Sequence, residues 1–421
     1  MNPFAHLVLR VALITLLAGA SLVARAAAVA AAPGDWPGWR GPTGDGQAAA
    51  GQTAPVRWSE TENVIWRAPI RGRGHSSPTI AGNRVYLTTA DVPAGEQIVI
   101  CLDRGTGRVI WETVVHRGHL DTAGHRNTSQ ASASVAWDGE RVYVNFLNQQ
   151  AIYTTALDAV GKVLWQERVS DFTTHQGFGS SPVVAGDLVL VSADHKAGGK
   201  LAGLDRRSGR VVWSHARPKI ANYTSPAVLT AAGRTQMIVA GCNLISSFEP
   251  ATGKPLWEIA GATEECVVTA VTDGRRIFVG GGYPKNNTTA VEADGSGQIA
   301  WQNGTRVYVP SMLVRAGHLY AVLDNGQAVC WKADTGDELW REKVDKDFYA
   351  SPVMLGTLIY ATSLRGSTAV FEASPSHFKL IAENQLGDEA YAMPVICGDR
   401  VYQRSAKKGE VRQEYLWCIG R

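Results

Sequence analysis

The feature that most limits how this chain can fold is a ten-residue phrase that recurs along it. The phrase spans residues 102–111 (LDRGTGRVIW) and returns at 204–213 (LDRRSGRVVW) and at 248–257 (FEPATGKPLW). Each copy contains a glycine near its middle, and glycine readily takes the positive φ that a tight hairpin turn requires. Each copy therefore predicts the end of one strand, a turn, and the start of a second strand that carries a tryptophan.

The spacing of these tryptophans indicates the size of each repeat. Successive repeat tryptophans lie 45, 54, 48, 44, 44 and 39 residues apart. A second strand-and-turn pattern, SSPTIAGNRVYL at residues 76–87, precedes the phrase and supplies two more strands per repeat. Repeats of about 40–50 residues with four strands each are typical of propeller blades. The repeat tryptophans are Trp66, Trp111, Trp165, Trp213, Trp257, Trp301 and Trp340.

We therefore predict an all-β fold, an eight-bladed β-propeller of four-stranded antiparallel blades over residues 61–421. The eighth repeat ends at Ile419, one strand short, and an additional strand around Trp66 precedes the first complete repeat. We expect this N-terminal strand to complete the last blade, because ring closure protects the sheet edges. Each repeat tryptophan is predicted to fill the gap to a neighbouring blade and to donate its indole N–H to a turn carbonyl.

Two segments precede the propeller. Residues 1–32 combine an apolar run with an alanine-rich zone, which predicts a secretory signal peptide and a periplasmic or secreted protein. A membrane anchor is the alternative, but the run is short for a bilayer span, and no later stretch is apolar enough for a transmembrane segment. There is no cysteine near the cleavage zone, so the sequence gives no indication of a lipid-modified N-terminus. Residues 33–60 are rich in Gly, Pro and Trp and are expected to dock on the propeller.

Charge and cysteine content limit the partners and cross-links to expect. The 41 basic residues include Arg10 and Arg25 of the signal peptide, so the remaining chain has a formal charge of +1 against its 38 acidic residues. This balance provides no basic field for phosphates, and nucleic-acid binding is not expected. Among the six cysteines, Cys101, Cys330 and Cys418 occupy the same repeat position. We interpret the cysteines as small core residues, with disulfide pairing as the less favoured alternative.

The phrase LDxxTGxxxW, together with the pattern SSPxxxGxxVY at residues 76–86, resembles the PQQ-like (quinoprotein-type) β-propeller repeat family. The segment WPGWRGP at residues 36–42 is similar to the N-terminus of exported bacterial members. One branch of this family implies a dehydrogenase that binds PQQ and calcium at the ring axis, usually beside an adjacent-cysteine disulfide, but this chain has no Cys-Cys pair. The other branch, the propeller subunit of the outer-membrane barrel assembly machinery, implies a binding scaffold, although its lipid-bearing cysteine is missing here.

The candidate binding residues follow from the topology of a four-stranded meander. Connectors between blades and the turns between second and third strands lie on one face, which we call the connector face. The Thr-Gly turns lie on the other, which we call the turn face. Residues before each inner strand should ring the channel on the connector face, where insertions often mark a binding surface. The rim candidates are His75, Tyr223, Glu265, Tyr308, Tyr349 and Tyr391, and the candidates in the connectors 116–127 and 171–178 are His116, His119, His125, Arg126 and His175.

Two other interpretations of these residues stay open. The rim tyrosines and histidine could instead fill a wet channel and hydrogen-bond to the backbone. His116, His119 and Asp121 are close in sequence, but a glycine-containing loop gives no regular spacing that would aim them at one metal ion. We therefore assign no metal site and no catalytic residue.

The sequence favours an exported, monomeric propeller that binds an envelope protein or a small ligand through the connector face and the channel mouth. We expect no catalysis and no cofactor for this protein. The alternative, which the family resemblance implies, is a quinoprotein dehydrogenase that uses PQQ and calcium to oxidise an alcohol or a sugar.

Overall fold

The computed structural model describes residues 34–421, and its regular structure is entirely β-strand. Thirty-two strands form eight four-stranded antiparallel sheets, the blades of a propeller, so the predicted fold class is confirmed. The predicted signal peptide, residues 1–32, lies outside the described residues. No helix within residues 34–421 has the length and hydrophobicity needed for a membrane span.

The blades are numbered in chain order, and their strands run from the channel outward. The first strand, β1 (Val64–Ile70), belongs to the last blade. Blades 1 to 4 contain β2–β5 (Thr79–Ala81, Arg84–Asp91, Glu96–Asp103, Val109–Arg117), β6–β9 (Ala136–Trp137, Arg141–Asn148, Ala151–Asp158, Val163–Asp171), β10–β13 (Val183–Ala185, Leu188–Ala193, Lys200–Asp205, Val211–Ala216) and β14–β17 (Ala227–Ala231, Arg234–Gly241, Leu244–Phe248, Pro255–Ala260). Blades 5 to 8 contain β18–β21 (Val271–Thr272, Arg276–Gly281, Asn287–Glu292, Ile299–Asn303), β22–β25 (Leu313–Arg315, His318–Val322, Gln327–Lys332, Glu338–Lys343), β26–β29 (Val353–Leu355, Leu358–Thr362, Ser367–Glu372, Leu380–Gln385) and β30–β32 (Val395–Cys397, Arg400–Lys407, Gln413–Ile419).

The ring closes between the two ends of the described chain. β1 pairs antiparallel with β32 and forms the outermost strand of blade 8, with Ala68 opposite Leu416. The strand order β1-β32-β31-β30 places the N-terminal strand at the edge that the eighth repeat leaves open. The predicted closure is therefore confirmed, and blade 8 depends on strands from both ends of the chain.

The repeat tryptophans fill the gaps between neighbouring blades. Six of the seven donate their indole N–H to a backbone carbonyl of the next blade, as Trp66 does to Arg104 at 3.0 Å. Trp257 differs, because its Nε1 donates to the side-chain oxygen of Gln236 in its own blade at 2.8 Å. The predicted hydrogen bond is thus confirmed at six positions, and at the seventh a buried glutamine replaces the turn carbonyl.

Blade 7 has no repeat tryptophan, and the N-terminal segment brings one to it. The equivalent position of β29 is Ala382, which pairs with Val370 of β28. Trp58 is buried in the same apolar cluster as Ala382, and its ring stacks on Tyr360 with centroids 6.2 Å apart and 6° between the planes. The side-chain oxygen of Asn384 accepts the backbone N–H of Trp58 at 2.8 Å. The N-terminal segment therefore contributes a core residue to blade 7.

The cysteines lie in the core as free, buried thiols. Cys101 lies opposite Trp111 and Cys330 opposite Trp340, and Cys418 holds the same position in blade 8, as their shared repeat position predicts. Burial raises the pKa of the Cys101 thiol to about 11 and that of Cys330 to about 12. These thiols therefore stay protonated at neutral pH and act as small packing residues.

Candidate functional site

A central cavity opens toward the connector face. Its volume is about 390 Å³, within the roughly 300–1,000 Å³ typical of small-molecule sites. Five of the six predicted rim residues line this cavity, and the sixth, Glu265, hydrogen-bonds to one of them. Their role in binding stays a prediction. The rim residues that line the cavity are His75, Tyr223, Tyr308, Tyr349 and Tyr391.

A ring of serine hydroxyls lies along the inner strands below the rim. Each hydroxyl oxygen accepts a backbone N–H from a neighbouring blade at 2.8–3.0 Å. For example, the N–H of Ser77 donates to Ser134, and the N–H of Ser134 donates to Ser181. These bonds tie adjacent inner strands together around the channel. We call the following six residues the serine belt: Ser77, Ser134, Ser181, Ser225, Ser311 and Ser351.

Residues 36–47, which we call the floor segment, close the other end of the channel. The segment crosses from blade 1, where Trp36 pairs with Ile80, to blade 7, where Gln47 pairs with Met354. Between these points Trp39 lines the cavity and donates its indole N–H to a threonine hydroxyl of blade 5 at 2.7 Å. Because β2 and β26 are contacted near their turn-face ends, the channel becomes a pocket that opens toward the connector face.

Arg40 anchors the floor segment. Its side chain is fully buried and donates to the carbonyl oxygens of Met312 at 2.5 Å, Asp45 at 2.8 Å and Pro352 at 3.1 Å. Burial lowers the pKa of the Arg40 guanidinium to about 10, so the group stays charged at neutral pH. This cation therefore ties the segment to blades 6 and 7 through charge-assisted hydrogen bonds.

One side of the mouth is a hydrogen-bonded cluster around Glu265. Its carboxylate is 4% exposed, accepts the Tyr308 hydroxyl at 3.0 Å and lies 2.9 Å from Nδ1 of His175. The Tyr223 hydroxyl lies 3.3 Å from the same nitrogen, and Arg306 lies over the Tyr308 ring at 4.6 Å from its centroid. Burial and the nearby Glu265 raise the pKa of Tyr308 and of Tyr223, so both hydroxyls stay protonated. The structure thus brings four predicted site residues together.

The opposite side of the mouth is an aromatic stack. His75 stacks on Tyr391 with centroids 4.0 Å apart and 15° between the planes, and Tyr349 meets Tyr391 edge-on at 6.2 Å. Burial and nearby arginine charges lower the pKa of His75 well below its usual value, so its imidazole is neutral at pH 7. Its Nε2 is buried without a hydrogen-bond partner among residues 34–421. Asn127 reaches this side, with its Nδ2 3.5 Å from the Tyr349 hydroxyl.

The structure separates the candidate residues of the first connector. His125 lines the central cavity, whereas His119 borders a groove outside it, and Arg126 is exposed. His116 lies within β5 and packs against Tyr153 at a centroid distance of 5.1 Å. The expectation that the connector begins at residue 116 is therefore corrected, because the pairing of β5 with β4 continues through residue 117. His116 belongs to the packing between blades 1 and 2.

Three contributors to the cavity were not predicted from the sequence. Trp39 closes its floor, Arg306 supplies a cation at its mouth, and four serines of the belt line its wall. A serine recurs near the start of most inner strands, often before a proline, and that repetition was a usable signal for the belt. No comparable signal marks Trp39, because its position depends on a hydrogen bond to Thr269, 230 residues later. Arg306 lies two residues before the predicted rim residue Tyr308 and packs over its ring.

The residues at the mouth do not match the calcium site that accompanies PQQ in the quinoprotein branch. Calcium takes about six to eight oxygen ligands, commonly including several carboxylates. The carboxylate at the mouth, Glu265, is already engaged by Tyr308 and His175. Within the part of the chain that the structure describes, no three His, Cys, Asp or Glu side chains form a metal-binding group.

Comparison with known proteins assigns the family. The family model described as outer membrane protein assembly factor BamB matches residues 37–176, 95–283 and 284–377. The chain belongs to this family. It is 25% identical over 347 residues to the outer membrane protein assembly factor BamB of Yersinia pestis, covering 78% of this chain and 81% of the relative. The BamB of Burkholderia pseudomallei is 24% identical over 359 residues, covering 80% and 83%.

Solved structures share the propeller fold. BamB from Moraxella catarrhalis has a TM-score of 0.57 and 16% identity, and the match covers 84% of this chain and 96% of that one. A europium-containing methanol dehydrogenase has a TM-score of 0.66 and 11% identity, with 93% and 99% covered. At such low identities the likeness shows a shared fold and carries no statement about activity.

Proposed function

We propose that this protein is a propeller scaffold of the cell envelope that binds a partner protein or a ligand through its connector face and cavity mouth. Membership in the family described as outer membrane protein assembly factor BamB supports an envelope role. One structural observation carries the proposal: the floor segment closes the channel near the turn face. The polar and aromatic side chains of the cavity are therefore offered to a partner from the connector face.

The connector face offers a partner two kinds of contact. The first connector is exposed around Thr122 and carries His119, His125 and Arg126. The mouth adds tyrosines, which combine a large apolar ring with a polar hydroxyl and are enriched at protein interfaces. The envelope location also agrees with the predicted signal peptide at residues 1–32. We propose no catalysis, since none of the hydrogen bonds described for residues 34–421 connects a serine of the belt to a histidine or carboxylate that could act as its base.

Site-specific photo-crosslinking in envelope preparations tests the proposed binding face. A photoreactive amino acid at Thr122 labels the connector face, and one at Val160, which is 70% exposed in a strand-three-to-four turn, labels the turn face. We expect a discrete crosslinked product from residue 122 that is absent from residue 160. Equal products from both positions, or products from residue 160 alone, would contradict the assignment of the connector face.

We further propose that binding requires neither PQQ nor calcium, because the mouth lacks the carboxylates that such a site needs. The purified protein should show no stoichiometric change in quinone absorbance when titrated with PQQ in the presence of calcium. It should also show no dye-linked oxidation of alcohols or sugars. Saturable uptake of PQQ together with calcium-dependent oxidation would instead support the quinoprotein alternative.

A further inference from the structure

We propose that the central cavity is a binding site for a neutral sugar ring, a hexopyranose, which is bound without chemical change. The inference deepens the proposed function and rests on it, because it names the ligand class of the same pocket. Three features of the cavity support this ligand class: unused hydrogen-bonding capacity, charged groups that already have partners, and aromatic rings in the wall.

The serine belt provides unused hydrogen-bonding capacity inside the cavity. Ser77, Ser181, Ser225 and Ser351 line the cavity, and each is at most 5% exposed. Each hydroxyl oxygen uses one lone pair to accept a backbone N–H from a neighbouring blade. The hydrogen-bond partners described for residues 34–421 include no acceptor for these four hydroxyl hydrogens. A serine hydroxyl has one donor and two acceptor sites, so each can still donate one bond and accept another.

The cavity mouth adds further groups that can both donate and accept hydrogen bonds. The side-chain amides of Asn127 and Gln176 and the hydroxyls of Tyr349 and Tyr391 line the cavity. Amides and hydroxyls both donate and accept hydrogen bonds. Sugar hydroxyls do the same, whereas a carboxylate or phosphate accepts only. A polyhydroxylated ligand therefore uses the full hydrogen-bonding capacity of this wall, and an anion would leave its acceptor sites without partners.

The charged groups at the mouth already have partners within the protein, which favours a neutral ligand. Among the described residues that line the cavity, Arg306 is the one arginine. Its Nε lies 3.8 Å from a carboxylate oxygen of Asp324. Its Nη1 also donates to the Gly282 carbonyl at 2.7 Å. The Glu265 carboxylate accepts the Tyr308 hydroxyl at 3.0 Å and lies 2.9 Å from Nδ1 of His175. The cation and the carboxylate therefore both have polar partners within the protein, and neither is left open to an ionic ligand.

Aromatic rings provide the apolar part of the site. Trp39 forms the floor, Phe178 contributes to the wall, and the stacked pair of His75 and Tyr391 forms one side. The C–H face of a pyranose gains dispersion contacts against such rings while its hydroxyls remain directed to polar groups at the edge. The cavity of about 390 Å³ has room for one or two such rings.

Calorimetric titration of the purified protein with free hexoses tests the site. We expect saturable binding of at least one of glucose, galactose and N-acetylglucosamine at up to about 50 mM, since single-ring ligands bind weakly. Oligosaccharides ending in the same ring distinguish a free sugar from a glycan terminus: tighter binding of the longer chain indicates a glycan. Benzoate serves as the anionic probe and should bind more weakly than the best sugar.

Variants connect the binding to this cavity. Tyr391→Ala should weaken sugar binding about tenfold because a stacking ring is lost. Asn127→Ala should weaken it about threefold to tenfold through the lost hydrogen bonds. Tyr153→Ala is the matched control, because Tyr153 packs against His116 away from the cavity and its loss should leave the sugar affinity unchanged. Thermal melting of each variant confirms that it is folded. Where Tyr391→Ala does not fold, Tyr391→Phe replaces it; this variant keeps the ring and should weaken sugar binding about threefold through the lost hydroxyl hydrogen bond.

Three results would overturn the sugar proposal. One is the absence of saturable binding for every neutral sugar tested with folded protein. The second is an unchanged sugar affinity both in Asn127→Ala and in Tyr391→Ala, or in Tyr391→Phe where that variant replaces it. The third is tighter binding of benzoate than of any sugar. A crosslinked partner at residue 122 alongside any of these results would show that the scaffold function stands while the ligand class is wrong.

Discussion

Five of the seven repeat tryptophans lie closely on a glycine of the next blade, and this contact sets how closely two blades approach. A Cβ on Gly107 would lie 2.5 Å from the ring of Trp66, and one on Gly209 would lie 2.6 Å from the ring of Trp165. Both glycines have positive φ, +72° and +77°. The same glycine therefore serves the hairpin turn through its backbone and the blade contact through its missing side chain.

Replacing Gly209 with alanine should be more destabilising than an ordinary turn substitution. The strain of a left-handed alanine costs about 1–2 kcal/mol, and overpacking against Trp165 adds about 1–3 kcal/mol. Gly356→Ala is the matched control, because its φ of +58° is also positive but no atom lies within 4 Å of the added Cβ. Urea unfolding followed by circular dichroism should show a clearly larger loss for Gly209→Ala. Equal losses would mean that the tryptophan contact contributes nothing.

His116 makes the stability of the protein depend on pH. Burial lowers its pKa to about 4 in the folded state, whereas an unfolded histidine titrates near about 6.5. The unfolded chain therefore gains its proton first, and the free energy of unfolding falls as the pH drops between these values. Because His116 is half-buried, we expect a loss on the order of 1–2 kcal/mol, which His116→Phe should remove. Urea unfolding near pH 7 and near pH 5 measures this difference, and an identical pH dependence in both proteins would contradict it.

At the scale of elements, the structures that recur in every repeat could be predicted from the sequence, whereas segments that occur only once could not. The Thr-Gly phrase and its tryptophans determine hairpins locally, so the blades, the closing strand and the channel rim could be predicted. The floor segment has no period, and its position depends on contacts such as that of Arg40 with Met312, 272 residues later. The boundary at His116 was missed for a similar reason, because strand length there is set by pairing with β4.

The contribution of Trp58 to blade 7 can be measured directly. Trp58→Ala removes a buried ring beside Ala382 and should cost about 3–5 kcal/mol, in the range of large-to-small core substitutions. Trp58→Phe keeps an aromatic ring against Tyr360 and should cost less than half as much. Far-ultraviolet circular dichroism during urea unfolding compares the two variants. A cost below about 1 kcal/mol for Trp58→Ala would show that blade 7 packs without the N-terminal segment.

At the scale of the whole molecule, the seam between blades 8 and 1 is held by a buried ion pair in addition to strand pairing. Arg404 and Glu414 have side chains that are each 2% exposed and lie 2.5 Å apart. Arg404 also donates to the carbonyl of Thr88 in blade 1 at 2.8 Å, and Glu414 accepts the backbone N–H of Gly74 at 3.2 Å. The pair therefore spans the place where the last blade meets the first.

Breaking this pair should loosen the closure of the ring. Arg404→Met leaves the carboxylate of Glu414 buried with weaker compensation and should cost about 3–5 kcal/mol. The double variant Arg404→Met with Glu414→Leu should be less destabilised than the single variant, because no buried charge remains. Urea unfolding of the unaltered protein, the single variants Arg404→Met and Glu414→Leu, and the double variant tests this order. A double variant that loses as much as the sum of both single losses would show that the two residues act independently.

The path of the floor segment also determines how the molecule can be oriented. Gly34 contacts Cys397 beside the first turn of blade 8, on the turn face, while the cavity opens toward the connector face. A sensor surface coupled through a tag ahead of residue 34 would hold the propeller with its pocket toward the solution. Coupling through a cysteine introduced at Thr122 would turn the same pocket toward the support.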